Sequence, residues 1–179
     1  MRLTPIALLA LILSVVGCAQ PNLDEPNINQ DALFGPTAMR IHPIFTQVRD
    51  FNNDGTPDGV EALLEFQDQF GDPTKAAGTV MFELFEYRKA NPDPRGPRVV
   101  NPWIGSMLTR QEQEARWNRT SRTYTFQLAY PSIQTTRNYV LTASFRSSTG
   151  ERFDDRVVLP AQEEKVVPTT QPATQPAQP

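Results

Sequence analysis

The sequence predicts an all-β chain: one antiparallel β-sandwich of six or seven strands with a single short helix. Three observations predict it. Apolar and polar residues alternate with period 2 through the middle of the chain, as strands with one buried face require. Glycine and proline cluster between and outside the apolar runs, where turns and linkers belong. No long amphipathic helix separates the runs, so a parallel α/β arrangement is disfavoured.

The elements follow in order. Met39, Ile41 and Phe45 give an opening strand, interrupted by Pro43 and therefore placed at a sheet edge. Val60, Ala62, Leu64 and Phe66 share one face of the next. Val80, Phe82 and Leu84 line another, in which Met81, Phe85 and Tyr87 make the opposite face partly apolar. Val99 to Leu108 is a weaker strand. Thr109 followed by Glu112 has capping-box spacing, and the intervening and following residues RQEQEAR favour helix, so a short helix bridges two strands before Trp117. Tyr124, Phe126, Leu128 and Tyr130 share a face, with Thr123, Thr125 and Gln127 opposite. After a Pro131-Ser132 turn, Tyr139, Leu141, Ala143 and Phe145 repeat the pattern. Phe153, Val157 and Leu159 close the sheet after Ser148-Thr149-Gly150.

The chain has 179 residues, for which one domain is the expectation. The reading divides it into a leader (1–17), a flexible tether (18–36), the β-sandwich (37–161) and a Pro/Gln/Thr-rich tail (162–179). The sandwich segment is about 125 residues, more than the about 100 such a fold takes. The tail, which ends TQPATQPAQP, lacks large apolar residues, so it is expected to stay disordered with polyproline II character. It reads either as an arm reaching a wall or partner, or as a solvated end. Net charge is −3, and loss of Arg2 with the leader takes it to about −4. This mildly acidic balance, with no basic stripe, argues against a nucleic-acid partner.

Ile6 to Val16 is an apolar run of eleven residues behind Arg2. As a helix it would reach about 16 Å, half the hydrocarbon core, so it reads as a signal segment rather than a span. It ends in Val15-Val16-Gly17-Cys18. This resembles the lipobox of bacterial lipoproteins, with an apolar residue at −3, a small residue before the cut and cysteine at +1. The resemblance covers the leader only. It implies diacylglycerol on the Cys18 thiol, cleavage between Gly17 and Cys18, and acylation of the new amine with a fatty acid such as palmitate. Two or three acyl chains give a stable anchor where one does not. Ala19 stands where aspartate would retain an enteric-type lipoprotein in the inner membrane, so the outer membrane, facing the periplasm or the surface, is the implied location. Residues 19–36 hold three prolines and, as a random coil, would span about 23 Å; Leu33 and Phe34 could dock on the domain.

One constellation carries chemistry. Asp50 to Glu61, DFNNDGTPDGVE, fits D-x-[DN]-x-[DN]-G-x₅-E. Calcium takes six to eight oxygen ligands. Asp50, Asn52 and Asp54 would supply side-chain oxygens, Thr56 its carbonyl, Asp58 a direct or water-mediated contact, and Glu61 both carboxylate oxygens, with Gly55 at the sharp turn. The twelve residues resemble the calcium loops of EF-hand and dockerin-type repeats. They depart from them at Pro57, in occurring once, and in having strand-like flanks. The other reading is an acidic turn, since Asn-Asp-Gly and Pro-Asp-Gly favour hairpin geometry without metal. Both remain open from sequence.

Other chemistry is sparse. One Cys and one His allow no disulfide framework and no Cys/His metal site. His42, before Pro43, reads as structural. No G-x-S-x-G, phosphate loop or H-E-x-x-H is present, and the chain is expected not to be an enzyme. Trp103, Trp117, Tyr87, Tyr124 and Tyr130 read as core before they read as a sugar platform. The segment Arg88 to Arg98 reads as a hairpin connection before a partner loop. The strand pattern is similar to immunoglobulin-like or transthyretin-like modules, without the Cys-Trp-Cys signature of immunoglobulin domains. Two functions follow: a lipid-anchored, non-enzymatic envelope protein serving structure or protein interaction, or a calcium-stabilised module binding carbohydrate or another surface ligand. The partners expected are a membrane through Cys18 and an envelope protein or glycan.

Overall fold

A computed structural model describes residues 33–162. The leader, Cys18 and the tail beyond Gln162 lie outside the described residues. The strands are β1 (Ala38–Ile41), β2 (Gln47–Arg49), β3 (Gly59–Gln67), β4 (Pro73–Thr74), β5 (Gly78–Tyr87), β6 (Arg95–Arg98), β7 (Trp103–Ser106), β8 (Trp117–Asn118), β9 (Thr123–Ala129), β10 (Tyr139–Ser147) and β11 (Arg152–Leu159), with one helix, α1 (Arg110–Arg116). They form two antiparallel sheets. The first runs β1-β3-β9-β8, with β2 and β4 also on β3; the second runs β11-β10-β5-β6, with β7 also on β5.

Each sheet has an interrupted edge. β1 pairs with Leu64–Gln67 of β3 and β2 with Gly59–Glu61, so the two are one edge broken at residues 42–46. Pro43 has no N–H and favours this break. Thr46 repairs the ladder: its amide donates to the His42 carbonyl (3.1 Å) and its hydroxyl accepts the Leu63 amide (3.1 Å). Phe45, expected to face the core, instead bulges out, 53% exposed, with its ring 4.7 Å from His42. The register lost at Pro43 turns its side chain outward. β6 and β7 likewise share one flank of β5, separated around Val99–Pro102. With each broken edge taken as one strand and two-residue β4 and β8 set aside, the sandwich has the six or seven strands that the sequence predicts.

The core lies between the sheets. Ile41, Val60, Ala62, Leu64, Phe66, Tyr124, Phe126 and Leu128 face it from one side, and Val80, Phe82, Leu84, Leu141, Ala143, Phe145 and Leu159 from the other. Phe66 and Phe145 meet across the interface with ring centroids 4.7 Å apart, and Phe82 meets Phe126 at 5.0 Å. Aromatic pairs at such separations add to the burial of their area. Met107, Ala76 and Ile133, which belong to no strand, complete the core. Where the two sheets' edges meet, Asp155 of β11 accepts the Ile41 amide of β1 at 2.7 Å, covering an N–H that an edge strand would leave open.

Helix α1 begins as its residues dictate. Thr109 caps the Glu112 amide and the Glu112 carboxylate returns to the Thr109 amide, a complete capping box. No α1 side chain is fully buried, so it docks through polar contacts. Gln113 donates to the Ala76 carbonyl (2.7 Å) and the Met107 carbonyl (2.6 Å). Its amide oxygen accepts from the Tyr124 hydroxyl, which accepts the Ala76 amide (3.2 Å). Tyr124→Phe removes that hydroxyl and leaves the Ala76 amide and the Gln113 oxygen without a partner. The expected cost is about 1–3 kcal/mol. Denaturant unfolding measures it, and adding Gln113→Leu should deepen the loss, because the Ala76 and Met107 carbonyls then lose their donor as well.

The strand directions give the sandwich two poles. β3 is nine residues long, about 27 Å from Gly59 to Gln67. At the Gln67 pole lie the incoming chain, where the Thr37 amide donates to the Gln67 carbonyl, the Asp68–Asp72 turn, and the β10–β11 turn beside Gly78. At the Gly59 pole lie the loop from Asp50 to Asp58 and the outgoing chain. There Gln162 donates its amide to the Thr135 carbonyl (2.8 Å) and its side chain to the Val48 carbonyl (3.2 Å).

Candidate functional site: the acidic loop between β2 and β3

The loop is built by its own side chains. Asp50 accepts the amides of Asn52 (3.2 Å) and Asn53 (2.6 Å) on Oδ1 and that of Gly55 (2.7 Å) on Oδ2. Asn52 Oδ1 accepts the Asp54 amide (2.8 Å), and Asp54 Oδ1 accepts the Thr56 amide (2.8 Å). These are successive Asx turns, the local motif that Asp and Asn favour over a strand ladder. Asn53 and Gly55 take left-handed backbone, φ 60° and 88°. Asparagine tolerates that region and glycine occupies it freely. Asp58 closes the loop: Oδ2 accepts the amides of Phe51 (2.7 Å) and Asn52 (3.2 Å), while its own amide donates to the Arg49 carbonyl (2.9 Å).

The structure therefore brings Asp50, Asn52, Asp54 and Asp58 into one loop, with Thr56 beside them. It sets Glu61 apart. Glu61 projects from the outer face of β3, with its carboxylate 3.6 Å from the Arg49 guanidinium. Among the described residues no three His, Cys, Asp or Glu side chains are grouped as metal ligands. The chemistry of the donors suits calcium, which seeks oxygen. Their geometry suits the chain itself, since both Asp50 oxygens and Asp54 Oδ1 accept backbone amides. A carboxylate has about four lone-pair sites, so an oxygen holding one amide can still accept a second partner. The Thr56 amide, then the Asn52 side-chain amide, hold the Asp54 carboxyl below its ordinary range.

Of the five aromatics read as core, four pack there, whereas Tyr87, half-buried on the outer face of β5, does not join it. Tyr124 is fully buried, and Trp103, Trp117 and Tyr130 pack partly buried against the core. The Trp103 indole donates to the Ala129 carbonyl (3.2 Å), and Trp117 lies 4.9 Å from the Tyr124 ring. They form no common platform. His42 is half-buried and accepts the Phe45 amide on Nδ1 at 3.4 Å. The Arg88–Arg98 segment is the β5–β6 hairpin connection: Arg95 holds Asp93 and Arg98 holds Glu83. Asn118 Oδ1 accepts the amides of Thr120 and Ser121 in the β8–β9 turn. The Tyr124–Gln113–Ala76 node has no sequence signal, because a single glutamine in a polar helix is unremarkable.

The remaining carboxylates with altered acidity are structural. Hydrogen bonds from the Arg95 side chain, then its amide, bring Asp93 down to about 2. The Ser144 hydroxyl, then Arg152, lower Asp154; the Ser147 hydroxyl, then Thr149, lower Glu151. The Thr109 amide is the first cause lowering Glu112. A group depressed on folding contributes stability above its ordinary value and loses it as pH falls through the folded value. The Asp93 contribution should be complete above its ordinary 3.8 and fade towards pH 2. Melting curves should therefore fall less steeply for Asp93→Asn than for the native chain across that window.

Among the described residues no helix is long and apolar enough to cross a membrane. The chain matches no protein-family model, no curated protein and no solved structure.

Proposed function

We propose that this is a bacterial lipoprotein: a lipid-anchored, non-enzymatic β-sandwich of the cell envelope, serving structure or protein interaction. The observation that carries this reading is Val15-Val16-Gly17-Cys18 directly behind the eleven-residue apolar run. The sandwich is read as a module similar to immunoglobulin-like or transthyretin-like domains of secreted proteins. The non-enzymatic part rests on the sequence, which holds no G-x-S-x-G, phosphate loop or H-E-x-x-H. Expressing the chain with and without Cys18→Ser tests the anchor. The native chain should sediment with membranes and resist salt extraction. A Cys18→Ser chain that has lost residues 1–17 and still sediments equally well would refute the reading.

A second reading, a calcium-stabilised module for carbohydrate or another surface ligand, rests on the D-x-[DN]-x-[DN]-G-x₅-E spacing of Asp50 to Glu61. Calorimetric titration of calcium separates the two. One-site binding with a raised melting temperature, abolished in Asp54→Ala, supports the metal loop. In the acidic-turn reading calcium changes nothing, yet Asp50→Ala still costs about 1 kcal/mol because three amides lose their acceptor.

A further inference from the structure

We propose that the Gln67 pole of the sandwich lies against the lipid bilayer, with Phe34, Phe70 and Leu108 at the headgroup level, so that the acidic loop and the outgoing chain point away from the membrane. The inference rests on the reading that Cys18 carries lipid. Phe34 lies sixteen residue steps after Cys18, a length that even fully extended spans at most about 55 Å and as a coil about 22 Å. Phe34 is fixed to this pole: its carbonyl accepts the Thr74 hydroxyl at 2.8 Å, and its ring lies 6.4 Å from Phe70. An anchor on Cys18 therefore draws this end of the domain to the surface, while the opposite end stands about a further 27 Å out along β3.

The side chains at this pole suit a bilayer interface. Phe34 and Phe70 are 59% and 64% exposed, and the turn presents Phe70 firmly, with Asp68 Oδ1 accepting the amides of Phe70 (2.9 Å) and Asp72 (3.0 Å). Leu108, 56% exposed, follows Met107, whose amide bonds to the Gly78 carbonyl at the same pole, and it borders a shallow hollow with Lys75, Ala76 and Arg110. Exposed aromatic and aliphatic side chains held together at one end are at home at the headgroup level.

The test uses the full chain in vesicles of phosphatidylethanolamine and phosphatidylglycerol, after intact mass has established lipid on Cys18. The photo-crosslinker p-benzoylphenylalanine replaces Phe70 in one preparation and Asp54 in another, both exposed positions in turns. Crosslinking to lipid at least tenfold greater at position 70 than at position 54 is the expected result. Equal crosslinking on a chain that does carry lipid overturns the orientation and leaves the anchor standing. Absence of lipid on Cys18 overturns both.

Discussion

Phe66→Ala should lower the stability of the domain by about 3–5 kcal/mol, the usual cost of removing a buried phenylalanine. Phe66 is inaccessible to solvent in the central strand β3, and its ring meets Tyr124 at 5.8 Å within its own sheet and Phe145 at 4.7 Å across the sandwich. Both neighbours are themselves fully buried, so the hole cannot close by a surface side chain folding in. Domains of this kind have about 5–15 kcal/mol in all. The variant is expected to unfold at much lower denaturant with an unchanged denaturant slope. Phe45→Ala is the control, because the same side chain on the bulge is half exposed and should cost under about 1 kcal/mol.

The second large effect is at Gly59, where the acidic loop becomes β3. A Cβ there would stand 2.1 Å from the Leu128 carbonyl oxygen and 2.9 Å from the Tyr130 amide nitrogen, both backbone atoms of the neighbouring segment. No side-chain rotation relieves such a contact, so β9 must move away from β3. The adjacent pair Val60 and Leu128, which faces the core, moves with it. Gly59→Ala should cost about 3 kcal/mol or more, from strain and lost pairing together. Gly55→Ala is the informative partner. Its Cβ meets nothing within 4 Å, but φ 88° is costly for alanine, so a smaller loss confined to the loop is expected. Amide exchange separates the two: Gly59→Ala should expose amides along β3 and β9, Gly55→Ala only those of Asn52 to Thr56.

Much of this fold is legible in the residues. Period-2 alternation places β3, β5, β9, β10 and β11, because each has one face against the same core. Thr109 and Glu112 place the start of α1 to the residue, since a capping box is a local hydrogen-bond pattern that needs no tertiary partner. Tertiary decisions are less legible. Pro43 signals a break, but its outcome depends on Thr46 supplying the missing acceptor to Leu63 from across the edge. Leu63 and Val140 are buried on the outer faces of their sheets, where alternation predicts exposure. Met107, Ala76 and Ile133 enter the core from loops, and loop residues carry no period. For the acidic loop, the motif spacing marks Asp50, Asn52, Asp54 and Asp58, which the structure folds into one loop. It does not tell that Glu61, one strand step past the loop, is held by Arg49.

The acidic loop also shows why composition alone says little about function here. Asp50, Asn52, Asp54 and Asp58 satisfy one another's backbone, so the same four side chains serve a turn or a cation with little change of sequence. The segment that resembles a lipobox is of another kind: the chain's single cysteine stands directly behind Gly17 at the end of an apolar run, the placement on which the proposed anchor rests.

The intact mass of the protein recovered from bacterial membranes tests that claim most directly. The account predicts a mature chain that begins at Cys18 and is heavier than residues 18–179 by a diacylglyceryl group, with or without a further amide-linked acyl chain. A chain that begins at Cys18 or elsewhere with no added lipid mass, or one that retains residues 1–17, would contradict it.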